Sequence, residues 1–115
     1  MTRESIRLAT FEKQCAISGL TEDDVLAIEI TLLDNPTIGD LMKGTGGIRK
    51  FRYPLPNTGK SGGVRVIYVD YAYYELNYLI AVFAKDNIGN LTKAQRNELK
   101  SLSNILLSKL REKKK

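Results

Sequence analysis

Hydrophobic positions recur at two spacings along the chain, helical near both ends and alternating through the middle. Residues 5–10, SIRLAT, alternate apolar and polar and predict a short edge strand. Residues 11–18 read as a short helix stopped by Gly19, which accepts the left-handed backbone that ends helices. Thr21 opens a second helix with Glu22, Asp23 and Asp24 in its first turn, where carboxylates meet the positive end of the helix dipole. Val25, Ile28 and Leu32, with the neighbouring Leu26 and Leu33, give that helix one buried stripe. Asn35-Pro36 ends it, because the residue before proline avoids helical geometry. Residues 37–47 then predict a loop, with a short turn of helix around residues 38–42.

The middle of the chain alternates. Ile48–Pro54 predicts a strand with Ile48, Lys50 and Arg52 on one side and Arg49, Phe51 and Tyr53 on the other. Pro54 and Pro56 open a long turn, LPNTGKSGG. Residues 64–71 are β-branched and aromatic and predict a central strand. Residues 71–74 turn the chain, and Leu76–Ala84 returns with almost no polar residue after Asn77. That run predicts burial on both faces, against helices on one side and a functional or apolar surface on the other. A polar loop over residues 85–90 leads to Thr92 and Gln95, which have capping-box spacing. Leu99, Leu102, Ile105, Leu106 and Leu110 form the stripe of a last helix, followed by a frayed basic tail over residues 111–115. The expected fold is α+β, one domain over residues 1–115. A small antiparallel meander sheet carries two N-terminal helices and a C-terminal helix.

Charge sharpens this picture. Residues 1–40 hold eight acids and three cations, residues 41–69 six cations and no acid, and residues 70–115 nine cations and five acids. The central segment therefore carries more than the whole chain's net +5, and it also holds six of the nine glycines. Cations on short strands, flanked by flexible backbone, suit a phosphate-rich polymer. No apolar run approaches the roughly 20 residues of a membrane span. The opening MTRESIRLATFEK lacks the apolar core of a secretory signal, which favours a cytoplasmic location. The lone Cys15 reads as a small buried hydrophobe. The chain has no histidine, which excludes histidine-assisted nucleophiles and histidine metal sites. Acid–base chemistry is left to carboxylates, lysines, tyrosines or a partner molecule, and no metal or cofactor is expected.

The run GTGGIRKFRYPLPNTGKSGGVRVIYV, the strand ending Phe83-Ala84-Lys85 and the following Asn90-Leu91-Thr92 resemble the RelE/HigB/ParE superfamily of type II toxins. The G-G-x-R-K and G-K-S-G-G-x-R patterns are most similar to its HigB-like branch, and the likeness extends over nearly the full chain. The resemblance implies a toxin that is a ribosome-dependent endoribonuclease, an mRNA interferase cutting mRNA in the A site by 2′-OH attack on the adjacent phosphate. It also implies a cognate antitoxin, typically a helix-turn-helix repressor of the HigA kind. The ParE branch poisons gyrase instead, and a non-catalytic RNA- or ribosome-binding module is a further alternative.

By the same resemblance the catalytic cations fall at Lys50, Arg52, Arg65 and Lys85. Arg65 would clamp the scissile phosphate, Lys50 would act as base or as electrostatic support, and Lys85 would stabilise developing charge. Arg49, Lys60, Gly62, Gly63 and Tyr68 are expected to contact RNA, the glycines through backbone N–H groups and Tyr68 by stacking or hydrogen bonding. Some members place a tyrosine or histidine near the start of the last helix. This chain has Asn90-Leu91-Thr92-Lys93 there, so its acid–base catalysis must be weak, lysine-driven or assisted by the ribosome.

Overall fold

The computed structural model describes residues 3–54, 63–84 and 91–113. Five strands, β1 (Glu4–Arg7), β2 (Asp40–Leu41), β3 (Ile48–Pro54), β4 (Gly63–Tyr71) and β5 (Leu76–Ala84), form one sheet in the order β1-β5-β4-β3-β2. Three helices, α1 (Ala9–Ser18), α2 (Glu22–Asp34) and α3 (Lys93–Lys113), complete the α+β fold. Strands β2 to β5 pair antiparallel, as adjacent hairpin strands do.

The sheet is nevertheless mixed, which corrects the expected meander. β1 lies parallel to β5 on the far edge, Glu4 opposite Leu76 and Arg7 opposite Leu79. After β1 the chain leaves through two helices, so no hairpin dictates its direction. The β1 ladder ends at Arg7, and α1 takes over its work. The Gln14 side-chain oxygen accepts the Val82 N–H at 2.9 Å, a donor that β1 is too short to reach. Arg7 then forks onto α2, with contacts of 2.7–3.0 Å to both Glu29 and Glu22. α2 itself starts in a capping box, Thr21 Oγ1 accepting from the Asp24 N–H and Asp24 from the Thr21 N–H.

Helices cover both faces of the sheet, a second correction. Phe11, Cys15, Val25, Ile28 and Leu32 of α1 and α2 pack on Val64, Val66, Tyr68, Leu79 and Val82. On the other face, Leu99, Leu102 and Leu106 of α3 pack on Ile48, Ile67, Val69 and Ile80. The second face of β5, expected to meet a functional or apolar surface, is largely the seat of the apolar stripe of α3. A bulge in β5 reconciles its two faces: Ile67 pairs with Ala81 and Tyr68 with Leu79, so Ile80 is the extra residue. Ile80 and Ala81 both join the α3 cluster, while Leu79 and Val82 stay with α1 and α2.

Three local expectations also change. Residues 40–41 extend and pair with β3 where a turn of helix was expected. Leu26 and Ile105, assigned to buried stripes, are 44% and 54% exposed, because each helix is covered on one side only. The expected turn at residues 55–62, the loop at 85–90 and the end of the basic tail lie outside the described residues.

Candidate nucleic-acid interface

The G-T-G-G segment builds the loop that presents β3. Gly46 and Gly47 take φ of 75° and 104°, backbone that side chains with a Cβ rarely adopt. Thr45, fully buried, closes the loop: its hydroxyl donates to Met42 O at 2.6 Å and accepts from the Ile48 N–H at 3.2 Å. The glycines thus shape a turn. Ser103 of α3 donates to Gly46 O at 3.1 Å, and Tyr71 OH bonds Ser103 in turn, which docks α3 on the hairpin.

This docking fixes which side chains meet on the α3 face. Directly opposed residues on neighbouring strands share a face. One row runs Asp40, Lys50, Ile67, Ala81 from β2 to β5, and the next runs Arg52, Arg65, Phe83 from β3 to β5. Lys50, Arg52 and Arg65 are therefore brought together. Lys50 and Arg65 are half-buried and Arg52 is exposed. Placing two arginines directly opposite one another costs the sheet like-charge repulsion. Arg65 Nη1 is also buried with no hydrogen-bond partner among the described residues. A buried polar nitrogen left without a partner costs about 1–3 kcal/mol. Both features are ones that an arriving phosphate would relieve.

Beside these cations a cavity of about 300 Å³ opens between the sheet and α3. Met42, Ile67, Ala81 and Phe83 form its floor, and Leu91, Gln95, Glu98, Leu99 and Leu102 its helical wall. Its size is at the lower end of small-ligand pockets, roughly 300–1,000 Å³. Apolar floor and cationic rim meet directly, because Ile67 is opposite Lys50 and Phe83 is opposite Arg65.

The other expected RNA contacts are placed elsewhere. Arg49 and Tyr68 pair with each other on the α1–α2 face. Tyr68 is fully buried; its hydroxyl donates to Pro36 O at 2.8 Å and accepts from the Gly39 N–H at 3.0 Å. Arg49 Nη1 donates to Gly39 O at 2.6 Å. Together they tether the segment between α2 and β2, and neither shares a face with Lys50. Burial pushes the Tyr68 hydroxyl above the ordinary tyrosine range, partly opposed by the Gly39 N–H, so it stays neutral. Gly63 is required by close approach: a Cβ there would lie 2.7 Å from Tyr53 O. Lys60, Gly62 and Lys85 lie outside the described residues.

Some members of the site escaped the sequence reading. Asp40 is an acid on the cationic face, opposite Lys50, and only its pairing with β3 puts it there. Arg96 and Lys100, one helical turn apart, run beside the hairpin, with Arg96 Cδ near Gly44 and Lys100 Cγ near Gly46. Their four-residue spacing was the available signal. Gln95 and Glu98 were legible only as helix surface. Among the described residues no three Cys, Asp or Glu side chains come together as a metal-binding group. No protein-family model matches the chain, so the chemistry of this face is the ground for its functional reading.

Proposed function

We propose that this chain is the toxin of a type II toxin–antitoxin pair, an endoribonuclease that acts in the cytoplasm on mRNA held in the ribosomal A site. One observation carries the reading: Arg65, with a buried guanidinium nitrogen that has no partner among the described residues, shares one sheet face with Lys50, Arg52 and Asp40. Such a set can do the three things RNA cleavage by an internal nucleophile requires. Asp40, opposite Lys50 in the strand register, accepts the 2′-OH proton. The 2′-oxygen attacks phosphorus, and Arg65 and Arg52 neutralise the added charge on the non-bridging oxygens. The bond to the 5′-oxygen then breaks, leaving a 2′,3′-cyclic phosphate and a 5′-hydroxyl; Lys85, assigned by resemblance, supports that departing oxygen. With only a carboxylate as base, efficient cleavage depends on the ribosome to align the 2′-OH in line with the leaving oxygen. The cognate helix-turn-helix antitoxin would block this face or the access of the whole molecule to the A site.

The test is expression of the Lys50→Ala/Arg65→Ala double variant, with folding checked by circular dichroism. Primer extension on a reporter transcript should show cut ends reduced about 100-fold or more, the scale of losing a transition-state charge donor. Unchanged cut ends and growth arrest would exclude this face as the active centre. Arrest without cut ends in the unaltered protein would instead indicate a ribosome-binding module. Intact transcripts with inhibited supercoiling would indicate a gyrase poison.

A further inference from the structure

We infer that the cavity beside Arg65 is a nucleobase pocket selective for guanine, with Gln95 and Glu98 reading the base edge. The inference rests on the RNA-cleaving reading, and it assigns the wall of the cavity a task that cleavage itself leaves unused. The floor offers the face of a base what it needs: Ile67, Ala81 and the half-buried ring of Phe83. Phe83 lies directly across the strand from Arg65, so a base on this floor is attached to a phosphate within reach of the cation row.

The wall supplies the edge contacts. Gln95 and Glu98 are three residues apart on α3 and line the same cavity. Gln95 Oε1 is committed to the α3 cap, accepting the Thr92 N–H at 2.9 Å. Its amide nitrogen has no acceptor among the described residues and is left to donate. Glu98 makes no ion pair among the described residues, although cations dominate this face. An ionised carboxylate only accepts, so it needs donors from the ligand. Guanine alone presents two adjacent donors, N1–H and the N2 amine, with an acceptor O6 beside them. Glu98 would take both donors and Gln95 would donate to O6. Adenine and cytosine would turn a bare ring nitrogen toward the carboxylate. Uracil would offer one N–H between two carbonyl oxygens, which repel it.

The test titrates the full chain with the four nucleoside 3′,5′-bisphosphates, read by calorimetry and by backbone amide shifts. The guanosine compound should bind about tenfold or more tighter than the others, the scale of one good bidentate pair. Its binding should shift the amides of Phe83 and Leu99. Glu98 is exposed, so Glu98→Gln should fold normally, abolish that preference and leave the affinity for inorganic phosphate unchanged. Equal affinities for the four, or a preference that survives Glu98→Gln, would overturn the pocket assignment. Mapping cut sites on translating ribosomes separates this from the reading beneath it. Cutting with no guanine beside the cut site, equally in Glu98→Gln, removes the pocket and keeps the nuclease. A guanosine preference in a protein that never cuts keeps the pocket and removes the nuclease.

Discussion

Two residues of the same central strand show how position decides role. Arg65 and Tyr68 are three apart on β4 and so point to opposite faces. Arg65 lies on the α3 face with a buried nitrogen that has no partner among the described residues, whereas Tyr68 is enclosed with its hydroxyl doubly bonded. Gly39 shows how closely that enclosure fits, since a Cβ there would lie 2.8 Å from Lys50 O and 2.9 Å from the Tyr68 ring. Tyr68→Phe would strip partners from two groups of the α2–β2 segment and should lower stability by about 1–3 kcal/mol. Cleavage per folded molecule should be unchanged. Urea unfolding together with primer extension checks both, and a stable variant that no longer cuts would return Tyr68 to the RNA site. The alternation that separates these faces was legible in residues 48–54, where it correctly grouped Lys50 with Arg52. It also set Arg49 apart from them, and the structure gives the reason: Arg49 holds Gly39 O.

At the scale of elements, what sequence spacing revealed were periods, and what it withheld were pairings. The helix start at Thr21, where the structure adds a capping box closed by Asp24, and the capping box at Thr92 are local signals and were readable. The direction of β1 was not, because its partner β5 is about seventy residues away and no turn links them. A short turn of helix was expected around residues 38–42, yet edge pairing with β3 extends residues 40–41. Hence Asp40, placed by that pairing, went unnoticed as a site residue. The position of α3 rests on a similar long-range knot, in which Ser103 joins Gly46 O to Tyr71 OH. Ser103 is buried, so Ser103→Ala leaves Gly46 O without its donor and should cost about 1–3 kcal/mol. Because α3 forms the cavity wall, faster hydrogen exchange should appear at the β2–β3 hairpin as well as in α3. Protection unchanged at both would show that the apolar stripe alone seats the helix.

The whole molecule is divided by charge: six of its thirteen acids lie on α1 and α2, the helices packed on the face opposite the cationic row. That division leaves one acid in an awkward place. Asp70, on β4, has a side chain only 9% exposed; Arg3 reaches one oxygen at 3.2 Å and the other has no partner among the described residues. Burial raises its carboxyl above the usual aspartate range, with Arg3 and then Arg49 opposing. The folded state therefore holds this proton more tightly than the unfolded chain, whose aspartate titrates at about 3.9. Above the raised value the ionised Asp70 is a fixed cost to stability. As pH falls through that value toward the unfolded one, the native state takes up the proton first and the cost is withdrawn. Glu22 acts with the opposite sign: its hydrogen bonds to Arg7 lower its carboxyl, and the support they give is lost only in stronger acid. Asp70→Asn mimics the protonated form at every pH. Its stability advantage over the parent should be largest near pH 7 and shrink steadily as pH approaches 4. Urea midpoints at half-unit pH steps would measure it; an advantage that is flat, or that widens in acid, would mean that Arg3 outweighs burial at this site.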